Sequence, residues 1–172
     1  MNLRFLAIML FLTGLVSGCG SESVVDPAVI EARKSYMLSE EPVGSIGILE
    51  ARENEDALGE VVLYGQIGSK NETWQEGKAT FVITDPTALH DEEDDGHDHE
   101  NCPFCKAKRE GGKVPNPTAI VQIVDEEQKV LPIDARELFE VEEGDMVVVT
   151  GSAQVDAIGS LTLSAKGVYV RR

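Results

Sequence analysis

The sequence predicts a mainly β protein, a small five-stranded Greek-key barrel that follows an N-terminal helix and carries one long inserted loop. Five short segments with strand-like apolar patterns follow one another after Glu60. Gly65 and Gly167 lie inside two of them and indicate the bends or bulges that a tightly curled sheet requires. One brief helix is expected after Asp134, between the third and fourth strands, as small Greek-key barrels often have.

The chain begins with the layout of an export signal. Residues 1–18 are predicted to be a signal peptide, in which Arg4 supplies the positive charge and an apolar run follows from Phe5 to Val16. That run is shorter than the roughly 20 apolar residues that a membrane-spanning helix needs. It ends in Val16-Ser17-Gly18-Cys19, which resembles a bacterial lipobox. The resemblance implies cleavage before Cys19 and lipidation of its thiol; the alternative is an ordinary cleavable signal.

A lipidated Cys19 would anchor the protein to a membrane of the bacterial cell envelope, facing the periplasm or the surface. Several acyl chains together hold a protein stably on a bilayer, whereas one chain holds it only marginally. Outside the cytoplasm thiols meet an oxidising environment. Cys102 and Cys105 then remain as a pair that can form a disulfide or be kept reduced by a metal ion.

Composition and charge exclude several classes of partner. Without the leader, about 150 residues remain, enough for one domain with a sizeable core. The formal net charge of the chain is -16. Nucleic acids are bound by basic surfaces that displace phosphate counterions, so binding to DNA or RNA is disfavoured. Anionic lipid headgroups are disfavoured for the same reason.

Residues 19–59 are expected to form a short tether and two helices that cover one end of the sheet. Asp26 can cap the first helix, which we expect to extend from Ala28 to Ser39. Ser45 can cap a second, shorter helix that ends near Arg52. These helices carry no reactive group of residues, so we assign them a structural role.

Residues 60–172 are expected to form the barrel. In the last strand the apolar positions change parity near Lys166, and a bulge there would restore their common facing. The predicted strands are Glu60–Gly68, Lys78–Thr84, Thr118–Asp125 with a short continuation at Val130–Ile133, Asp145–Ala153 and Ser160–Val170.

This layout resembles the OB-fold. The resemblance lies in Val61-x-Leu63-x-Gly65-x-Ile67, Phe81-x-Ile83-x-Asp85 and Gly144-Asp145-x-Val147-x-Val149-x-Gly151, which are similar to patterns of exported bacterial OB-fold proteins. The succession from Glu41-Pro42-x-Gly44 through Gly65-x-Ile67-Gly68 to Gly167-Val168-Tyr169-Val170-Arg171 also resembles an uncharacterised planctomycete family of secreted or lipoprotein-type proteins. That resemblance implies the fold and export, and it implies no activity.

The connection between the second and third strands, residues 86–117, is unusually long. Loops beyond about 12–15 residues without secondary structure are usually functional or disordered. Within it, His90–Cys105 (HDEEDDGHDHENCPFC) contains all three histidines of the chain and both cysteines outside the leader. Imidazole and thiolate groups beside carboxylates indicate a metal site.

Four residues of this loop are the predicted metal ligands: His97, His99, Cys102 and Cys105. Together they can form a tetrahedral Cys2His2 set, which structural zinc prefers. Copper(I) competes for the same thiolate and imidazole ligands. Additional candidate ligands are His90, Asp98 and Glu100.

Other interpretations of the loop stay open. In one, a Cys102–Cys105 disulfide fixes the loop of a non-metal module that binds another envelope protein. In another, the pair belongs to an envelope thiol-disulfide protein, although neighbouring carboxylates would raise the cysteine pKa and weaken the nucleophile. In the third interpretation, the loop is a solvated acidic segment without a defined function. No hydrolase triad order, P-loop, Rossmann glycine pattern or H-E-x-x-H motif is found, so we predict no enzyme and no catalytic residue.

Overall fold

The computed structural model describes residues 25–53, 59–89, 109, 111 and 116–172. Five strands form a closed barrel in the order β1-β2-β3-β5-β4, with β4 paired back to β1. The β3–β5 pair is parallel and the other pairs are antiparallel. The predicted mainly β, five-stranded, OB-like barrel is therefore confirmed. The strands are β1 (Gly59–Ile67), β2 (Thr80–Thr84), β3 (Thr118–Ile123), β4 (Met146–Val155) and β5 (Leu161–Arg171).

Three α-helices have both ends within the described ranges: α1 (Pro27–Tyr36), α2 (Ile48–Glu53) and α3 (Ala135–Phe139). Asp26 caps α1 as predicted, because its carboxylate accepts a hydrogen bond from the Ala28 N–H at 2.8 Å. The helix ends three residues before the predicted Ser39. Met37 is extended and bridges to Val168 of β5, so pairing with the barrel replaces the last helical turn.

The barrel has two ends, which we call the α2 pole and the α3 pole. The α2 pole is where β1, β3 and β5 begin and where β2 and β4 end; α2 buries Ile48, Leu49 and Ala51 there. The α3 pole is the opposite end, where Leu138 and Phe139 of α3 are fully buried. Helices therefore close both ends of the core.

The core consists of inward-facing residues that alternate along the strands. Each large apolar side chain removed from water contributes about 1.5–3 kcal/mol. Phe81 of β2 connects the strand core to α3 and to the β1–β2 connection, since its ring centroid lies 6.5 Å from that of Phe139 and 6.0 Å from that of Trp74. The strand residues that are at most 1% exposed include Leu63, Ile67, Phe81, Ile83, Val121, Ile123, Val147, Val149, Leu161 and Leu163.

The predicted bulge in the last strand is confirmed. Thr150 pairs with Gly167 and Gly151 pairs with Ala165, so Lys166 is the extra residue of β5. A Cβ on Gly151 would lie 2.2 Å from the Ser164 carbonyl oxygen, so only glycine fits opposite the bulge.

Of the bend or bulge predicted at Gly65, the bulge is excluded on the side of β4, because the β1–β4 register continues unbroken through the Gly65–Val147 pair. Glycine is needed there for space: a Cβ would lie 3.1 Å from the Cβ of Ile83. The predicted short continuation Val130–Ile133 is confirmed only in part. Val130 forms an isolated bridge to Val124, the Leu131 N–H donates to the Ile123 carbonyl oxygen, and the chain then turns towards α3.

Residues 37–47, which we call the strap, cross the outside of the barrel between the two poles. The Met37–Val168 bridge attaches one end of the strap and a bridge from Ile46 to Leu63 attaches the other. An ion pair between Glu41 and Arg171 holds the middle of the strap against β5.

Candidate functional site

The inserted loop leaves the barrel between two strands that pair directly with each other. Thr84, the last residue of β2, pairs with Thr118, the first residue of β3. One step further, the Asp85 N–H donates to the Pro117 carbonyl oxygen at 2.8 Å. Hydrogen bonding between β2 and β3 therefore continues to the base of the loop, where the two limbs lie side by side.

Asp85 is the central residue at this base. Its side chain is buried, with the residue 2% exposed. Oδ1 accepts hydrogen bonds from the Thr87 N–H at 3.0 Å and from the Thr87 hydroxyl at 2.7 Å. Oδ2 accepts from the Leu49 N–H at the start of α2, also at 3.0 Å. A buried carboxylate is tolerated when its oxygens are hydrogen-bonded in this way. Asp85 thus ties the outgoing limb of the loop to α2.

The predicted cap of α2 at Ser45 is wrong, because Asp85 provides it from 36 positions away in the chain. Local sequence does not reveal such a cap. Gly47 makes room for it, since a Cβ there would lie 2.8 Å from Oδ2 of Asp85 and 3.5 Å from the Tyr64 hydroxyl oxygen. Burial raises the pKa of Tyr64, and the negative charges of Asp85 and Glu50 raise it further against the opposing effect of Arg171.

Arg52 holds the returning limb of the loop. Its guanidinium donates to the Thr118 carbonyl oxygen and to the Gly159 carbonyl oxygen, both at 2.9 Å. Burial lowers the pKa of Arg52, and its Nε is buried without a hydrogen-bond partner among the described residues. Asn116 adds a second restraint, because its Oδ1 accepts from the Thr118 N–H at 3.1 Å and from the Thr118 hydroxyl at 2.8 Å. Side chains from α2 and from the loop itself therefore fix both limbs.

The residues predicted to carry function lie outside the described residues. This applies to the lipidation site Cys19, to the ligands His97, His99, Cys102 and Cys105, and to the additional candidates His90, Asp98 and Glu100. Their roles stay predictions. Within the described ranges, no group of three or more His, Cys, Asp or Glu side chains is arranged to hold a metal ion.

Trp74 lies in the β1–β2 connection and is partly buried against the core. Its ring contacts Phe81, and the guanidinium carbon of Arg136 lies 5.8 Å from the ring centroid. Arg136 is in turn paired with Asp134, the N-cap of α3. Trp74 therefore joins the β1–β2 connection to the α3 pole.

Two open grooves mark the described surface. One of about 470 Å³ lies at the α3 pole and mixes cationic and anionic side chains, including Arg136, Glu140 and Asp145. The other, of about 420 Å³, lies beside the strap and is lined by Ile46, Val61 and neighbouring residues. Neither presents a recognisable set of catalytic groups.

Comparison with protein-family models finds no matching family, and comparison with curated proteins finds no match. In the part of the chain that the structure describes, no helix has the length and apolar character that crossing a membrane requires.

Proposed function

We propose that this protein is a lipid-anchored protein of the bacterial cell envelope and binds a transition metal ion, zinc or copper(I), through the loop inserted into its barrel. The observation that carries the proposal is the base of the loop. The β2–β3 pairing continues to the Asp85–Pro117 hydrogen bond, so the two ends of the loop are held side by side at one place on the barrel. A segment that is rich in metal ligands and whose two ends are held together in this way is suited to binding an ion.

The ligand chemistry supports a tetrahedral site. His97, His99, Cys102 and Cys105 lie within nine consecutive residues, so one short segment can surround one ion. Cys2His2 sets are typical of structural zinc, and thiolate with imidazole also suits copper(I). Both cysteines must lose their protons to bind, so affinity should fall as the pH is lowered.

The acidic surroundings favour the same function. Residues 91–95 are five consecutive carboxylates that raise the local concentration of cations. The fixed limbs of the loop also help, because its two ends are already held together before the ion binds. Metal binding then orders only the loop and leaves the barrel as it is.

The test is the metal content and thiol state of freshly isolated protein, purified without a chelator. We expect about one zinc or copper ion per chain, and we expect Cys102→Ser to lose most of it. Asn101→Ser, next to the ligand but not a ligand itself, is the matched control and should retain the metal. A chain without metal, with equal uptake by both variants, contradicts the proposal.

Thiol counting in the same sample separates the alternative. If no thiol is free before reduction, a Cys102–Cys105 disulfide is present, and the loop belongs to a non-metal interaction module. A reduction potential below about -300 mV would then mark that bond as structural rather than catalytic.

A further inference from the structure

We propose that one outer face of the barrel, formed by β2, β3, β5 and β4, is a contact surface between two copies of this protein. This proposal is independent of the metal site and of the lipid anchor. It concerns residues of the strands alone, and it goes beyond the proposed function by naming a partner for the barrel.

The residues of this face follow from the strand register, because side chains alternate between the core and the outside along each strand. Val82 of β2, Ile120 of β3 and Thr162 of β5 stand side by side in neighbouring strands and point outwards. Eight of the ten outward residues are partly or fully exposed, and only Thr80 and Thr84 at the β2 edge are buried. The ten residues, which we call the neutral face, are Thr80, Val82, Thr84, Thr118, Ile120, Gln122, Ser152, Gln154, Thr162 and Ser164.

None of the ten residues of the neutral face is charged. Charged residues make up 27% of the chain, so an even distribution would put about three of them in ten positions. Charged side chains are found mostly on protein surfaces, which makes a charge-free outer face more unusual. Depletion of charged residues distinguishes the centre of a protein–protein interface from the rest of a surface. The neutral face therefore has the composition of an interface.

Exposed apolar side chains border the neutral face at the α2 pole. Val155 directly follows Gln154 and is 42% exposed, and Ile158 in the β4–β5 turn is 88% exposed. Leu89, shortly after the end of β2, is 46% exposed. These are three of the six large apolar residues that are exposed in the described part of the chain. Apolar side chains grouped on a surface mark sites of interaction, so this border extends the contact surface.

The side chains of the neutral face suit a second copy of the same face. Eight of the ten end in a hydroxyl or an amide group, which both donates and accepts hydrogen bonds. Such groups pair with their own kind, whereas carboxylates only accept and ammonium groups only donate. In a twofold dimer the same surface patch is used by both copies. The neutral face is therefore complementary to itself.

The charge of the chain favours the same occupant. With a formal net charge of -16, two copies repel each other over most of their surfaces. Contact through the neutral face brings no like charges together, and charges further away are screened beyond about 8 Å at physiological ionic strength. A basic partner would instead be attracted to the carboxylates elsewhere on the surface. A second copy is thus the partner that this face fits.

The size of the neutral face predicts a weak dimer. Four strands about 4.8 Å apart, each contributing about five residues of about 3.3 Å, cover about 300 Å². Each partner in a standard interface buries about 800 Å², so this contact lies at the small end even with its apolar border. We expect monomers and dimers in exchange, with more dimer as the protein concentration rises.

Sedimentation equilibrium of the isolated protein measures this association, in a density-matched neutral detergent that also solvates any acyl chain. We expect the average mass to rise with concentration from one chain towards two. A mass of one chain at every concentration up to about 1 mM overturns the proposal. Growth past two chains also overturns it, because a face that pairs with itself closes with two copies.

A charge in the middle of the face tests its location. Thr162 lies in β5, one of the two middle strands, and Thr162→Glu should lower the association constant at least about tenfold, because both copies then carry a carboxylate in the contact. Ser39→Glu is the matched control, since it adds the same charge on the exposed strap. The strap bridges to β5 at Val168, about 20 Å along the strand from Thr162. Equal effects of the two variants overturn the assignment to this face.

Opposite charges provide the rescue. Neither Thr162→Glu nor Thr162→Lys should associate alone, whereas an equimolar mixture should regain at least the native association, because opposite charges then meet. Urea unfolding shows that each variant is folded, and Gln154→Glu with Gln154→Lys repeats the experiment at an exposed position of the same face. Mixtures that stay monomeric overturn the proposal.

Discussion

Because Asp85 caps α2 from a distant part of the chain, we expect substitutions of Asp85 and Gly47 to have strongly coupled effects on stability. Asp85→Ala removes the acceptor of three hydrogen bonds, two from Thr87 and one from the Leu49 N–H. Gly47→Ala places a Cβ 2.8 Å from Oδ2 of Asp85. That oxygen is the end of a side chain, so it could give way easily were it not bonded to Leu49. The cost of Gly47→Ala therefore measures how firmly Asp85 is held.

The expected magnitudes follow from these contacts. Loss of a helix cap costs about 1 kcal/mol, and each buried donor left unpaired costs about 1–3 kcal/mol. Relief from burying the carboxylate offsets part of this, so we expect Asp85→Ala to lower the free energy of unfolding by about 2–4 kcal/mol. Gly47→Ala should cost about 1–3 kcal/mol as an overpacked site. In the double variant the crowding is absent, so its cost should fall short of the sum by at least about 1 kcal/mol.

Urea unfolding of the four proteins in this cycle, followed by far-ultraviolet circular dichroism, gives the coupling energy. Ser45→Ala is the matched control, because Ser45 stands where local sequence predicts the cap and should change stability by less than about 0.5 kcal/mol. Additive effects of the two substitutions would refute a rigid Asp85. A large loss of stability in Ser45→Ala together with a small loss of stability in Asp85→Ala would refute the assignment of Asp85 as the cap of α2.

Two further predictions concern β4 and α3. Gly151→Ala should lower the free energy of unfolding by more than about 3 kcal/mol or prevent folding, since its Cβ would meet the Ser164 carbonyl oxygen. Gly159→Ala is the control: its Cβ would have open space, and the strain of the positive φ costs only about 1 kcal/mol, so similar unfolding midpoints of the two variants would contradict the prediction. Hydrogen bonds from Arg136 outweigh burial and lower the pKa of Asp134 from 3.8 to about 2. Because this folded-state pKa is depressed, the stabilisation is complete above about pH 4 and is lost as the pH falls through about 2. Asp134→Ala should therefore cost about 1 kcal/mol at pH 7 and clearly less near pH 2, where about half of the Asp134 carboxyl groups are protonated. Urea titrations measure both costs, and a difference independent of pH would contradict the assignment.

In the inserted loop, the sequence identifies the candidate metal ligands but not the side chains that hold the base of the loop. Clustering of histidine and cysteine between residues 90 and 105 identifies candidate ligands directly, because ligand chemistry is a property of side-chain type. The side chains that hold the base of the loop were not found this way. From the sequence, the second strand ends at Thr84, just before Asp85, and Arg52 belongs to a short helix with only a covering role. Their partners, Leu49, Thr118 and Gly159, are brought near only by the closed barrel.

The sequence alone determined the barrel fold and the local features that begin a helix or bend a strand. Strand alternation, the Asp26 cap and the Lys166 bulge depend on residues within a few positions of one another, so local pattern predicts them. The tertiary structure decided the cap of α2, the early end of α1 and the placement of the two poles. Each depends on hydrogen bonds between segments distant in the chain, whose geometry exists only once the strands have closed.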